Sequence, residues 1–200
     1  MSRSVTIERV TGETSVRGQL ALDGTGAAEV RTGIGMLDHL LTALARHARL
    51  DLTLTCTSDL QVDDHHAAED CGIALGQALD RALGDRRGIT RFGWAYAPLD
   101  EALARAVVDC SGRGLALIDL GLEREALGAL ACENVGHVLS SLATTARVTL
   151  HVDVLRGAND HHRAEAAFKA VALALRQAVA PSGFDDVPST KGSLGAAADG

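Results

Sequence analysis

Large aromatic side chains are almost missing from this chain. Phe, Trp and Tyr together make up 2% of its 200 residues, so its core must be built from Ala, Leu and Val. A core of such small groups leaves further burial to contacts between subunits. An excess of basic charge is missing as well: the formal net charge is −7 and the pI is near 5.5. Phosphate backbones are gripped by clustered Lys and Arg, so no nucleic-acid partner is expected, and no membrane-surface role either. No apolar run reaches the roughly 20 residues that span a bilayer, and Met1–Val10 has no apolar stretch of the kind a secretory signal carries. The four cysteines, Cys56, Cys71, Cys110 and Cys132, form no C-x-x-C pair. They read as reduced, mostly buried thiols of a cytoplasmic protein, not as disulfide partners, nucleophiles or zinc ligands. With 46% hydrophobic and 22% charged residues, the chain is globular and sized for one compact domain or two small halves sharing a core.

The chain repeats itself. His39–Leu54 aligns without a gap on His137–Val152; both stretches begin with His, continue with helical apolar spacing and end in strand-like alternation. Farther on, Asp63-Asp-His-His-Ala-Ala-Glu-Asp70 matches Asn159-Asp-His-His-Arg-Ala-Glu-Ala166, and each is followed by an Ala/Leu-rich helix. Strands are expected at Ser4–Arg9, Ser15–Leu22, Asp51–Cys56, Ala106–Cys110, Leu115–Leu120 and Val148–Val154. Helices are expected at Gly35–His47, Ala67–Leu83, Cys132–Thr145 and His162–Ala180, with turns at Gly84–Gly88 and Gly157–Asn159. The fold class that follows is α+β: two similar halves from internal duplication, each a small β-sheet covered by two helices. One domain is expected over residues 1–194, its halves about 1–92 and 93–194, with a disordered tail at 195–200.

Six of the eight histidines fall at repeat-related positions: His39, His65, His66, His137, His161 and His162. Glu69 and Glu165 complete the set. Residues i and i+4 share a helix face, so His65 with Glu69, and His161 with Glu165, can each offer a nitrogen and an oxygen to one ion. His66 and His162 point elsewhere and can serve a second ion. Six His and two Glu make two sites of three His and one Glu, a mixed donor set that suits Mn, Fe, Zn or Ni and leaves positions open for substrate. His47 and His151 lie outside the symmetric set, and His151, on a strand, reads as a hydrogen-bonded structural histidine. Glu13, Arg91 and Arg113 read from composition alone as ordinary surface charges. Pro188-Ser-Thr-Lys-Gly-Ser-Leu194 offers hydroxyls, a Lys and backbone amides suited to a phosphate.

Gly33-Ile-Gly-Met-Leu-Asp-His39, the two paired-histidine motifs, Ala97-Pro-Leu-Asp-Glu-Ala102, Ser111-Gly-Arg113, the continuation to Lys169, and Pro188-Ser-Thr-Lys-Gly192 occur in an order that resembles the imidazoleglycerol-phosphate dehydratase family. The resemblance runs from about Arg9 to Leu194. It implies a hydro-lyase of histidine biosynthesis with two Mn²⁺ per chain. The implied metal ligands are His39, His65, His66, Glu69, His137, His161, His162 and Glu165. Substrate contacts are implied at Glu13, His47, Arg91, Arg113, Lys169, Ser189, Thr190 and Lys191. A small-molecule phosphate substrate and a homo-oligomeric 24-subunit shell with active sites between subunits are implied too. The chain departs from the family in having Ala43 where Gln is usual, Gly114 where Pro follows the Ser-Gly-Arg, and Gly136 where an acidic residue precedes the His.

The implied reaction converts imidazole glycerol phosphate to imidazole acetol phosphate and water. The proton to be lost is not beside a carbonyl, so the substrate's imidazole must supply electrons, with metal ions as Lewis acids on its nitrogens. Glu13 and Glu165 are the candidate proton-transfer carboxylates. Two other readings of the residues stand beside this one: a di-metal hydrolase, in which bridging Asp residues are expected, and a non-catalytic metal-binding or shell-forming protein.

Overall fold

The computed structural model describes residues 3–194, so the tail expected at 195–200 lies outside them. The first half comprises β1 (Ser4–Val10), β2 (Thr14–Ala21), β3 (Ala28–Arg31), α1 (Gly35–Ala48), β4 (Asp51–Ser58) and α2 (His65–Leu83). The second comprises β5 (Phe92–Leu99), β6 (Ala102–Asp109), β7 (Leu115–Asp119), the short β8 (Ala126–Leu127) and β9 (Leu130–Ala131), α3 (Cys132–Thr145), β10 (Thr149–Arg156) and α4 (Asp160–Val179). The sheets have the orders β1-β2-β4-β3 and β5-β6-β10-β7. In each, a hairpin pairs antiparallel with a third strand, which carries a parallel edge strand on its other side. The same topology twice is the duplication seen in the sequence, and the fold is α+β.

Helix α1 shows why these segments fold as they do. Leu37, Leu40, Leu41 and Leu44 recur at helical spacing and are all buried, each worth about 1.5–3 kcal/mol of burial. Asp38 ties the helix start to the preceding loop by accepting from the Thr32 N–H and hydroxyl, both at 2.6 Å. The helix ends at Arg49 in the left-handed region, φ 60°.

The four helices lie between the sheets. Helices α1 and α2 cover the first sheet, α3 and α4 the second, and one apolar core runs through both halves. The helices pair across the halves, α1 with α4 and α2 with α3. The α2–α3 contact depends on Gly72 and Gly76. A Cβ at Gly72 would come 2.7 Å from the Val138 carbonyl oxygen, and one at Gly76 would come 2.4 Å from that of Leu142. Among the described residues, no helix is long and apolar enough to cross a membrane.

The outer faces of the sheets differ. The first is polar, with Glu8, Arg17, Gln19, Thr53 and Thr55 exposed. The second exposes Phe92, Trp94, Tyr96, Val107, Leu115 and Leu117. The scarce aromatics are therefore mostly outside, and only Phe168 is buried in the core. Strands β3 and β5, and the two-residue β8 and β9, were not expected. β3 is only four residues long, and two of the four are charged. In β5 the small Gly93, Ala95 and Ala97 face α4 while the aromatics face outward, which inverts the usual pattern. His151 is a correction: it lies exposed on the outer face of β10 with no side-chain hydrogen bond among the described residues, because its strand position alternates with the buried Leu150 and Val152.

Candidate functional site

The paired-histidine motifs begin α2 and α4. In each, the first polar residue accepts from the backbone at the helix start: Asp63, one residue before the N-cap of α2, from the His65 N–H, and Asn159, the N-cap of α4, from the His161 N–H, both at 2.9 Å. The second ties a loop to the helix start. Asp64 accepts from the Ala131 N–H at 2.6 Å, while Asp160 accepts from Glu123 and Arg124 at 2.9 and 2.7 Å. The histidines that follow are thus held on a fixed first turn.

Cross-half helix pairing then makes two donor groups. His39 of α1 meets His161 and Glu165 of α4, and His137 of α3 meets His65 and Glu69 of α2. Within each group the ligand atoms lie within 4.8 Å of one another. His39 Nε2 is 2.8 Å and His161 Nε2 3.3 Å from Glu165 Oε2, and His137 Nε2 is 3.2 Å from Glu69 Oε1. Two donors at right angles on one ion, each bonded at about 2.1 Å, lie about 3.0 Å apart, so these spacings fit metal coordination. Imidazole nitrogen with carboxylate oxygen is also the right donor chemistry for a divalent first-row ion. Each group has one carboxylate of its own, and no Asp joins them, so the bridging carboxylates of the hydrolase reading do not appear among the described residues.

Each group has two histidines, not the three expected. His66 and His162 lie apart from both groups of their own chain. Consecutive helical residues are turned about 100° from each other, and His65 and His161 already face the groups. His66 turns instead toward Asp59 and Glu13, and His162 toward Glu101 and Asp100.

Glu165 also carries a cation. Its Oε1 lies 2.6 Å from Lys169 Nζ. Burial alone would raise its pKa, but the bonds from Lys169 and His39 outweigh that and lower it to about 2. His47, farther along α1, has its pKa lowered by burial and by the nearby Lys169 charge. Glu13 is exposed at the β1–β2 turn, 3.7 Å from His66 Nε2. That turn is tied to α2 because the Thr14 hydroxyl donates to the buried Asp70, which also accepts from Arg9 Nε at 2.8 Å.

The phosphate candidates are more scattered. Arg113, Thr190 and Lys191 are exposed, and Ser189 is half-buried. Arg91 is engaged within the chain: it pairs with Asp109 at 2.8 Å and donates to the Pro188 carbonyl at 2.7 Å. The Leu194 carbonyl at the other end of that loop accepts from the fully buried Arg86 at 3.1 Å. Sequence reasoning missed Arg86, and it missed Asn134, whose Oδ1 is 3.1 Å from His65 Nδ1. It also gave no role to Asp59 or Glu101, although Glu101 stands inside a motif already singled out.

Comparison with known proteins agrees with this geometry. A family model described as imidazoleglycerol-phosphate dehydratase matches residues 32–175. A Candida glabrata protein named imidazoleglycerol-phosphate dehydratase is 55% identical, covering 94% of this chain and 98% of that one. The crystal structure of imidazoleglycerol-phosphate dehydratase from Pyrococcus furiosus in complex with (S)-C348 superposes with a TM-score of 0.81 at 38% identity, covering 94% of this chain and 100% of that one. The Staphylococcus aureus enzyme gives a TM-score of 0.79 at 34% identity, covering 90% and 99%. With both paired-histidine motifs folded into matching donor groups, the chain belongs to the imidazoleglycerol-phosphate dehydratase family.

Proposed function

We propose that this chain dehydrates imidazole glycerol phosphate to imidazole acetol phosphate, as a metal-dependent hydro-lyase of histidine biosynthesis. The observation that carries the reading is the pair of donor groups, each built from one half's upstream His and the other half's His and Glu. The metal is Mn²⁺, two per chain, held by His39, His161 and Glu165 and by His65, Glu69 and His137. His66 and His162 supply the remaining donors to groups of neighbouring copies, which accounts for their outward placement and for the count of three His and one Glu per site. The apolar outer face of the second sheet supports self-association, since exposed patches of this kind mark interaction surfaces. The assembly is the closed 24-subunit shell of the family. Residues 1–194 form one such domain, the halves meeting near residue 92. Four cysteines without disulfides support a cytoplasmic location.

Bound ions would act as Lewis acids on the substrate imidazole. The chain's own residues do the rest. Lys169, Lys191, Arg113 and His47, with the Ser189 and Thr190 hydroxyls, hold the phosphate and so fix the reacting carbons. Arg91 acts beside them through the loop it holds at Pro188. Electrons from the imidazole ring, which gives up its N–H proton, expel the hydroxyl on the adjacent carbon; the hydroxyl takes up that proton and leaves as water. Glu13, exposed at its turn, accepts the C–H proton of the next carbon, with Glu165 as the second proton-transfer carboxylate. The resulting enol tautomerises to the ketone. The test is an assay of the purified protein with imidazole glycerol phosphate, with and without added Mn²⁺. Turnover that requires the metal is expected, and no turnover in metal-replete protein would refute the reading.

A further inference from the structure

We infer that Asp59 and Glu101 are positioning residues that hold His66 and His162 with Nδ1 as donor and Nε2 free to coordinate metal. This rests on the reading that His66 and His162 are ligands. His66 Nδ1 lies 3.1 Å from Asp59 Oδ2 and 3.2 Å from Oδ1. His162 Nδ1 lies 2.7 Å from Glu101 Oε2. A carboxylate only accepts, so in each pair the neutral ring must carry its proton on Nδ1. The lone pair is then on Nε2. Those Nε2 atoms are 3.7 Å from Glu13 and 3.9 Å from Asp100, beyond hydrogen-bond reach. Among the described residues, both rings therefore present an unpaired acceptor nitrogen away from their own chain's donor groups.

The two braces come from different places in the repeat. Continued from His39 on His137, the repeat puts Gly157 at the place of Asp59, and counted back from His66 on His162 it puts Leu155 there; neither offers a carboxylate. In the second half the carboxylate arrives from the β5–β6 turn instead. There Glu101 Oε1 also accepts from the N–H groups of Ala158 and Asn159 at 3.0 and 2.8 Å, which fixes it beside the start of α4. The same hydrogen bond, reached by non-equivalent residues, is what a requirement on the ring would produce. An inherited surface contact would have kept equivalent positions. The group bound to the far nitrogen of a ligating histidine orients the ring and raises its basicity, so losing it costs about 10–100-fold in metal affinity.

The test compares Mn²⁺ titration calorimetry of chelator-stripped Asp59→Ala, Asp59→Asn, Glu101→Ala and Glu101→Gln with His66→Ala and His162→Ala. Each alanine variant at a brace should weaken one class of site by about 10–100-fold. The amide variants should recover most of that, because their carbonyl oxygen still accepts from Nδ1–H. Nitrogen NMR of metal-free protein labelled at histidine should show His66 leaving the Nδ1–H tautomer in Asp59→Ala, a change that mere loosening of the loop would not give. If the histidine variants lose Mn²⁺ but the brace variants bind and titrate like wild type, the brace is overturned and the ligand reading stands. If His66→Ala and His162→Ala themselves bind as wild type, the ligand reading falls and the brace with it.

Discussion

Replacing Gly76 with alanine should part α2 from α3 and, with them, one of the two donor groups. The new Cβ would stand 2.4 Å from the Leu142 carbonyl oxygen, which is backbone and cannot rotate aside. An ordinary contact needs about 3.5 Å, so the helices must separate by about 1 Å. Alanine gains about 1 kcal/mol over glycine in helix propensity, whereas overpacking of this kind costs about 1–3 kcal/mol. The net loss is about 1 kcal/mol, or about 2–4 °C in Tm for a domain of this size. The effect on metal should be larger than the effect on stability. His137 rides on α3, His65 and Glu69 on α2, and coordination distances tolerate only about 0.2 Å. Calorimetric titration of the stripped variant with Mn²⁺ should show one site per chain weakened at least about tenfold. The site on α1 and α4 should be unchanged. A Gly76→Ala protein that binds both ions like wild type, with an equal or higher Tm, would refute the argument that glycine sets this spacing.

Four further outcomes follow from the site. Lys191→Ala should raise KM for imidazole glycerol phosphate well above that of wild type while leaving Mn²⁺ affinity alone, because it removes a charged phosphate contact and no ligand; steady-state kinetics beside a metal titration checks both. Activity should fall on acidification through about pH 6, since histidine donors must be neutral, and excess Mn²⁺ should move the fall to lower pH in a pH–rate profile. In metal-free protein, Glu165 has a pKa of about 2 against a usual 4.5, so its stabilising contribution is complete above pH 4.5 and is lost as pH falls toward 2. Urea midpoints of Glu165→Gln should therefore depend less on pH across that window than those of wild type. Chelation should convert a closed shell into smaller species and Mn²⁺ should restore it; a particle size by light scattering that ignores metal would contradict interfacial coordination.

Much of this protein was legible in one dimension. Local periodicity marked α1, α2, α3 and α4, because each buries a recurrent apolar stripe. Internal repetition singled out eight candidate donors, six of which the fold gathers into two groups, and the motif order indicated the family. Strand β5 stayed hidden because its inward face must be small to admit α4, so its large side chains are on the wrong side for a pattern reader. Tertiary structure alone decided which donors meet. His39 is joined to Glu165 across most of the chain only because α1 packs on α4. No sequence spacing encodes that pairing; it follows from burying apolar helix faces of one half against those of the other. The same holds for Asp59 and Glu101. Each is an unremarked acid in a turn until the backbone brings it within hydrogen-bond distance of an imidazole, because a brace is defined by the direction of a bond in space and not by its place in the chain.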